Sequence, residues 1–94
     1  MRLEFSGELF DWRGPAPFTF VAVPAVEAEE VRSVAAAVTY GWGMIPVRAR
    51  IGATEWRTSL FPKDGRYLVP VKAAVRKAEH VASGDVVKVR LELW

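Results

Sequence analysis

Six short strand-like segments within 94 residues are the feature that most constrains the fold of this chain. Near the N-terminus Leu3, Phe5 and Leu9 alternate with polar residues, and a period of two is typical of a strand with one buried face. Turn residues separate the segments. In two of the stretches between segments, apolar residues recur at the spacing of a helix instead. A small barrel accommodates six strands in so short a chain because closure removes unpaired strand edges.

The predicted order of elements is β-β-α-β-β-β-α-β. The predicted strands cover residues 2–9, 18–23, 47–51, 54–60, 66–71 and 86–94, and the predicted helices cover residues 25–37 and 72–80. We therefore expect a mainly β protein, a small closed or nearly closed six-stranded β-barrel with two short helices, forming one domain over residues 1–94. Its own side chains would fill the interior, so a ligand would bind at a rim or on an outer face.

The register of one hairpin follows from its turn. The Gly52-Ala53 pair predicts a two-residue turn with glycine first, as type II′ turns prefer. This turn places Arg48 directly opposite Arg57, with Val47 and Trp56 on the other, core-facing side. Like charges in that position destabilise a ladder unless solvent, a carboxylate or a bound anion lies between them. The arginine pair is therefore a candidate anion site.

Two further cations extend this hypothesis. Lys72 and Arg76 lie on the polar side of the second predicted helix and could join Arg48 and Arg57 around an anion. Guanidinium and ammonium groups suit phosphate and carboxylate ligands. The alternative is that all four are solvated charges. Their partners would then be nearby carboxylates, namely Glu55, Glu79 or Asp85.

A glycine-punctuated aromatic loop is a second candidate surface. Tyr40, Trp42 and Met44 surround two glycines, and aromatic side chains dominate the energetics of many protein interfaces. The alternative is that Trp42 caps the open end of the barrel. The loop therefore predicts either a contact patch or a structural plug.

Composition excludes several classes of site. The chain contains no cysteine, so it has no disulfide, no thiol nucleophile and no Cys-ligated metal centre. His80 is the only histidine, and neither a nucleophile nor an orienting carboxylate is spaced to work with it. We predict no catalytic residues, no metal and no cofactor. The absence of a long apolar run and of a signal-peptide pattern predicts a cytoplasmic protein with no membrane partner.

The charges divide unevenly along the chain. Residues 1–47 carry three basic and six acidic side chains, a net −3, whereas residues 48–94 carry ten basic and five acidic, a net +5. The basic half could attract an anion, but +5 is modest beside the basic stripes of strong nucleic-acid binders. Nucleic acid is therefore not the expected partner.

Three motifs carry a resemblance to a known family. They are Trp56-Arg-Thr-Ser-Leu-Phe-Pro62, Tyr67-Leu-Val-Pro-Val-Lys-Ala-Ala-Val-Arg-Lys77 and Gly84-Asp-Val-Val87. In this order they resemble the bacterial DUF1905 family, and the segment Phe5 to Trp12 and the Val23-Pro24 helix entry are similar to its N-terminal half. The resemblance implies a compact β-barrel with two short helices and no assigned molecular function. Some relatives carry a bacteriocin-protection-type domain after the barrel, and whether this chain acts with a separate one is open.

Two functions from different classes are therefore expected. The first is a non-enzymatic binding module that recognises an anionic small molecule or an acidic protein surface through its basic face. The alternative is a structural or interaction protein, a monomer or a homodimer, that acts through the 40–44 loop or a strand edge. An enzyme and a nucleic-acid-binding protein are less favoured, and the sequence selects no ligand or pathway.

Overall fold

A computed structural model describes residues 1–12, 18–38 and 44–93 of the chain. The strands are β1 (Arg2–Trp12), β2 (Phe18–Ala22), β3 (Ile45–Ile51), β4 (Thr54–Lys63), β5 (Arg66–Pro70) and β6 (Val86–Leu93), and the helices are α1 (Ala25–Val38) and α2 (Ala73–Glu79). The predicted order of strands and helices is confirmed.

The six strands form a closed barrel in the order β1-β2-β5-β4-β3-β6. Every pairing is antiparallel, and β6 returns to β1 to close the ring. Among the described residues each strand thus has a neighbour on both sides, which leaves the strand-edge version of the interaction hypothesis without an open sheet edge. The prediction of a closed or nearly closed six-stranded barrel is confirmed, and the barrel is closed.

The barrel interior is filled with the apolar side chains that alternate along the strands. Leu9, Ile45, Leu60 and Leu91 are among the largest side chains that are fully buried. Both helices add to this core, α1 through Ala28 and Val31 and α2 through Val75. Neither helix, within the described ranges, has the length and apolar character needed to cross a membrane.

The predicted register of the β3–β4 hairpin is also confirmed. Arg48 pairs with Arg57, and the ladder reaches the turn at Ile51 and Thr54. Gly52 has a φ of 57°, whereas Ala53 does not share a positive φ, as expected for a type II′ turn. The glycine also allows a close approach, because a Cβ there would overlap the Glu79 carboxylate at the end of α2.

Several boundaries differ from the sequence-based prediction. The expected turn over residues 61–65 is confined to Asp64-Gly65, whose φ angles of 49° and 77° are both positive. This two-residue turn lets β4 continue to Lys63, which pairs with Arg66 in β5. In α2, the spacing of Ala74, Val75 and Ala78 predicts one apolar, buried side, but Ala74 and Ala78 are exposed. The short helix contacts the core mainly through Val75.

Candidate functional site

Two rows of outward-facing side chains cross four neighbouring strands in the order β4, β3, β6 and β1. The first row is Arg57, Arg48, Glu92 and Arg2, and the second is Glu55, Arg50, Arg90 and Glu4. We call these eight residues and Lys88, which follows on β6, the charged face. With six cations and three carboxylates its net charge is +3.

The carboxylates of the charged face are already in contact with its cations. Arg48 places Nε 3.0 Å from Glu55 Oε1 and Nη1 3.5 Å from Glu92 Oε1. Hydrogen bonding from Arg90, followed by the charge of Lys88, lowers the pKa of Glu4. The like-charged Arg48–Arg57 pair is thus moderated by carboxylates, which is one of the conditions that the sequence left open.

The charged face contains a cleft of about 270 Å³. Arg48, Arg50, Arg90 and Glu92 are among the residues that line it. Each of these four takes part in an ion pair, with side chains between about two-fifths and three-fifths exposed. Exposed pairs of this kind are worth little individually, but they satisfy the donors that a bound anion would otherwise use.

The start of α2 is positioned by the end of β5. The Val71 N–H donates to the Thr19 carbonyl over 2.9 Å, and Val71 itself is buried. Val75, one turn later, is buried as well, so α2 is held against the core by one side. Lys72 is the N-cap residue of α2, and Arg76 follows four residues later on a side of the helix other than that of Val75.

A cavity of about 490 Å³ lies beside this side of α2, where β5 ends between β2 and β4. We call it the α2 cavity. Its apolar wall includes Phe18, Phe61 and Pro70, and its polar groups come from Thr19, Thr58, Lys72 and Arg76. A concave apolar surface with a few convergent polar groups is typical of a small-molecule site.

Arg76 is the most informative residue of the α2 cavity. Its Nε atom is buried and has no hydrogen-bond partner in the described part of the chain. The ion pairs formed among residues 1–12, 18–38 and 44–93 include neither Arg76 nor Lys72. A buried donor without an acceptor costs about 1–3 kcal/mol, so an incoming acceptor would relieve that cost.

A carboxylate near Arg76 is engaged elsewhere. Asp11 Oδ1 accepts hydrogen bonds from the hydroxyls of Ser83, at 2.6 Å, and Thr19, at 2.9 Å. These bonds lower the pKa of Asp11, and the positive charge of Arg76 acts in the same direction. Asp11 therefore influences Arg76 through its charge while its hydrogen bonds go to the two hydroxyls.

The four predicted basic residues are divided between two places. Arg48 and Arg57 lie on the charged face, and Lys72 and Arg76 line the α2 cavity. Neither of the two cavities is lined by both pairs. In the predicted interaction loop, Met44 is half-buried. The other two residues of that prediction, Tyr40 and Trp42, lie outside the described residues.

Sequence reasoning did not identify the aromatic residues of the α2 cavity. Phe61 follows the buried Leu60 and so points outward in the strand alternation, an observation that was available from the hairpin register. Thr58 pairs with Val47 on the core-facing side in the predicted register, and that placement gave no reason to assign it to a ligand site. The contribution of Thr19 depends on the contact between β2 and the start of α2, which no local pattern indicates.

Comparison with known proteins agrees with the barrel and the motifs. The model of a domain of unknown function, DUF1905, matches residues 5–91. The chain belongs to the DUF1905 family. The match includes both pairs of basic residues and the whole lining of the α2 cavity, whereas Arg2, Glu4 and Glu92 of the charged face lie just outside it. A search among curated proteins finds no match.

DUF1905 is a domain of unknown function, so the chemistry open to this site follows from its side chains. The described residues hold no group of three or more His, Asp or Glu side chains placed to bind a metal ion. What the geometry offers is a cavity with apolar walls and two cations. Such a site can bind and orient an anion.

Proposed function

We propose that this DUF1905 protein is a non-enzymatic binding module that takes a small anionic molecule into the α2 cavity. The observation that carries the proposal is the buried Nε of Arg76, which lacks a hydrogen-bond partner in the described residues. A carboxylate or phosphoryl oxygen in the cavity would accept that hydrogen bond. The charged guanidinium group makes such a bond stronger than one between neutral groups.

The neighbourhood of Arg76 supports the same proposal. Lys72, at the N-cap of α2, adds a second positive charge to the cavity lining, and Thr58 adds a hydroxyl that can donate or accept. The cavity volume of about 490 Å³ falls within the range of small-molecule sites. The proposal thus keeps the predicted Lys72 and Arg76 and assigns them to a different neighbourhood from Arg48 and Arg57.

The charged face supports an acidic protein partner less well. Glu92 lies between two arginines in the first row, Glu55 and Glu4 flank the arginines of the second row, and these carboxylates already contact Arg48, Arg50 and Arg90. The same interruption of positive charge disfavours a phosphate backbone running across the face. The interaction hypothesis based on the 40–44 loop stays a prediction, as does the cytoplasmic location.

Nuclear magnetic resonance tests the proposal at the atom that motivates it. Inorganic phosphate, benzoate and phenyl phosphate are titrated at constant ionic strength while the Nε–H resonance of Arg76 is followed. We expect at least one anion to shift this resonance in a saturable way. We also expect a rise in melting temperature, because a ligand at 100 times its Kd stabilises the folded state by about 2.7 kcal/mol.

A matched pair of variants separates the site from general charge. Arg76→Gln should abolish binding, whereas Lys77→Gln should leave it unchanged. Lys77 is the appropriate control because it is an exposed cation on the same helix and does not line the cavity. Equal losses of anion affinity in Arg76→Gln and Lys77→Gln would overturn the proposal. So would the absence of any response of the Arg76 resonance to the three anions.

A further inference from the structure

Two exposed phenylalanines form one border of the α2 cavity. Phe18 is 55% exposed and Phe61 is 40% exposed, although both are large apolar side chains. Their ring centroids each lie 6.0 Å from that of Phe20, which is itself buried. The central ring therefore supports both of the outer rings.

This aromatic cluster is separate from the barrel interior. Phe20 is buried but does not belong to the connected core cluster, and its ring also lies 6.1 Å from that of Phe10. Phe18, Phe20 and Phe10 are brought together by the β1–β2 ladder, in which Phe10 pairs with Phe20. The outer surface at the cavity mouth is thus a supported aromatic platform.

The cations line the same cavity as this platform but belong to a different part of the fold. Arg76 comes from α2 and Lys72 is the N-cap residue that precedes it, whereas Phe18 and Phe61 come from β2 and β4. A ligand that satisfied only the cations would leave both rings in water, and one that covered only the rings would leave the buried Nε of Arg76 without an acceptor. A molecule that carries both features uses the whole lining.

We infer that the ligand of the α2 cavity is a compact aromatic anion, a flat ring that carries a carboxylate or a phosphoryl group. The ring packs on Phe18 and Phe61, and the anionic group binds Arg76 and Lys72. This inference rests on the proposed function, because it names the chemical class for the same cavity. Aromatic pairs favour offset or edge-to-face contacts, which add to the burial of apolar area.

Four probes separate the ring from the charge. Benzoate and phenyl phosphate carry both, cyclohexanecarboxylate carries the charge on a saturated ring, and inorganic phosphate carries the charge alone. By calorimetric titration we expect the better aromatic anion to bind about two- to tenfold more tightly than cyclohexanecarboxylate. We expect it to bind more than tenfold more tightly than inorganic phosphate. The ratio between benzoate and phenyl phosphate decides which anionic group the site selects.

Variants test the platform directly. Phe18→Leu and Phe61→Leu should remove the preference for the aromatic probe while leaving the affinity for cyclohexanecarboxylate nearly unchanged. Trp12→Leu is the matched control, because Trp12 is a 38% exposed aromatic residue that does not line the cavity. If a variant fails to fold, nuclear Overhauser contacts between the bound probe and the Phe18 or Phe61 ring protons in the native protein give the same decision.

The outcomes distinguish this inference from the proposal on which it depends. If cyclohexanecarboxylate or inorganic phosphate binds as tightly as the aromatic anions and shifts the Arg76 resonance, the inference is wrong and the binding function stands. If nuclear Overhauser contacts between the bound probe and the rings of Phe18 and Phe61 are absent, the inference is likewise wrong and the binding function stands. If no probe shifts that resonance, both are wrong.

Discussion

Arg48 lies directly opposite Arg57 in the β3–β4 ladder, yet its guanidinium group contacts the carboxylates of Glu55 and Glu92. The distances are 3.0 Å to Glu55 and 3.5 Å to Glu92. Glu55 belongs to the same hairpin, whereas Glu92 arrives on β6 from 44 residues away. The closure of the barrel therefore supplies part of the compensation that this arginine pair requires.

Removing the Glu55 carboxylate, which two arginines of the charged face share, should lower the stability of the protein. Glu55→Gln takes an ion-pair partner from both Arg48 and Arg50. Because these side chains are more than one-third exposed, we expect a loss of only about 0.5–1 kcal/mol in the free energy of unfolding. Urea unfolding measures it, and the loss should shrink in 1 M NaCl, where the screening length falls to about 3 Å. Glu8→Gln is the control. A loss of stability in Glu55→Gln that does not depend on salt would contradict the ion-pair interpretation.

The hairpin turn makes a prediction about glycine. Gly52→Ala forces a Cβ onto a residue with a φ of 57° and displaces the Glu79 carboxylate, which accepts a 2.5 Å hydrogen bond from the Thr54 hydroxyl. Gly65 has a φ of 77°, and a Cβ there would meet open space. Gly65→Ala should therefore cost only the backbone strain, about 1–2 kcal/mol in the free energy of unfolding. We expect Gly52→Ala to be more destabilising by about 1 kcal/mol, the value of one hydrogen bond.

A double-mutant cycle checks the cause of that difference. In a Glu79→Ala background the additional cost of Gly52→Ala should disappear, because the displaced carboxylate and its bond to Thr54 are already gone. Chemical denaturation of the four proteins gives the coupling energy. Strictly additive free energies would show that the turn backbone alone sets the cost.

The barrel interior should be sensitive to truncation. Leu60 is 0% exposed, and Leu60→Ala removes buried methyl groups from a closed core whose walls collapse only partly. The expected loss is about 2–5 kcal/mol in the free energy of unfolding. Val86→Ala, at a position that is 71% exposed, should stay within about 0.5 kcal/mol of the native protein. Comparable losses for the two variants would be inconsistent with the assigned strand faces.

The stabilising effect of the hydrogen bonds to Asp11 should depend on pH. Bonds from Ser83 and Thr19 lower its pKa in the folded state below the ordinary value of 3.8. Its contribution to stability is therefore complete above that value and is lost as the pH falls through the lower, folded-state pKa. We expect Asp11→Asn to lower the melting temperature at pH 7. The difference in melting temperature between the variant and the native protein should narrow below about pH 4.

The control for this measurement is an aspartate in a turn. Asp64 has a φ of 49°, a conformation that asparagine also tolerates, so Asp64→Asn should change the melting temperature little. Thermal unfolding followed by circular dichroism between about pH 7 and pH 2.5 covers the transition. A difference for Asp11→Asn that stays constant across this range would contradict the assigned hydrogen bonds.

Much of the fold could be predicted because it depends on local rules. Strand alternation sorts side chains to two faces, and the Gly52-Ala53 turn sets the pairing of Arg48 with Arg57 without reference to the rest of the chain. The extension of β4 to Lys63 was missed although the Asp64-Gly65 pair is a typical hairpin turn. There the proline and charged residues before the turn obscured the end of the strand.

The candidate site could be predicted only in part. Lys72 and Arg76 were identified from helical spacing, since residues four apart share a side of a helix. Their neighbours were not identified. Phe18, Thr19 and Phe61 reach the α2 cavity because β5 ends at Pro70 and leaves β2 and β4 on either side of the start of α2.

The sequence by itself therefore determined the order of strands and helices and the hairpin register, and it favoured closure into a barrel, because periodicity and turn chemistry act over a few residues. Only the tertiary structure decided the neighbours of each charge. It placed Arg48 beside Glu92 and separated the Arg48–Arg57 pair from the cavity beside Arg76. These contacts join residues that are far apart in the chain, and they arise from the order in which the strands close the ring.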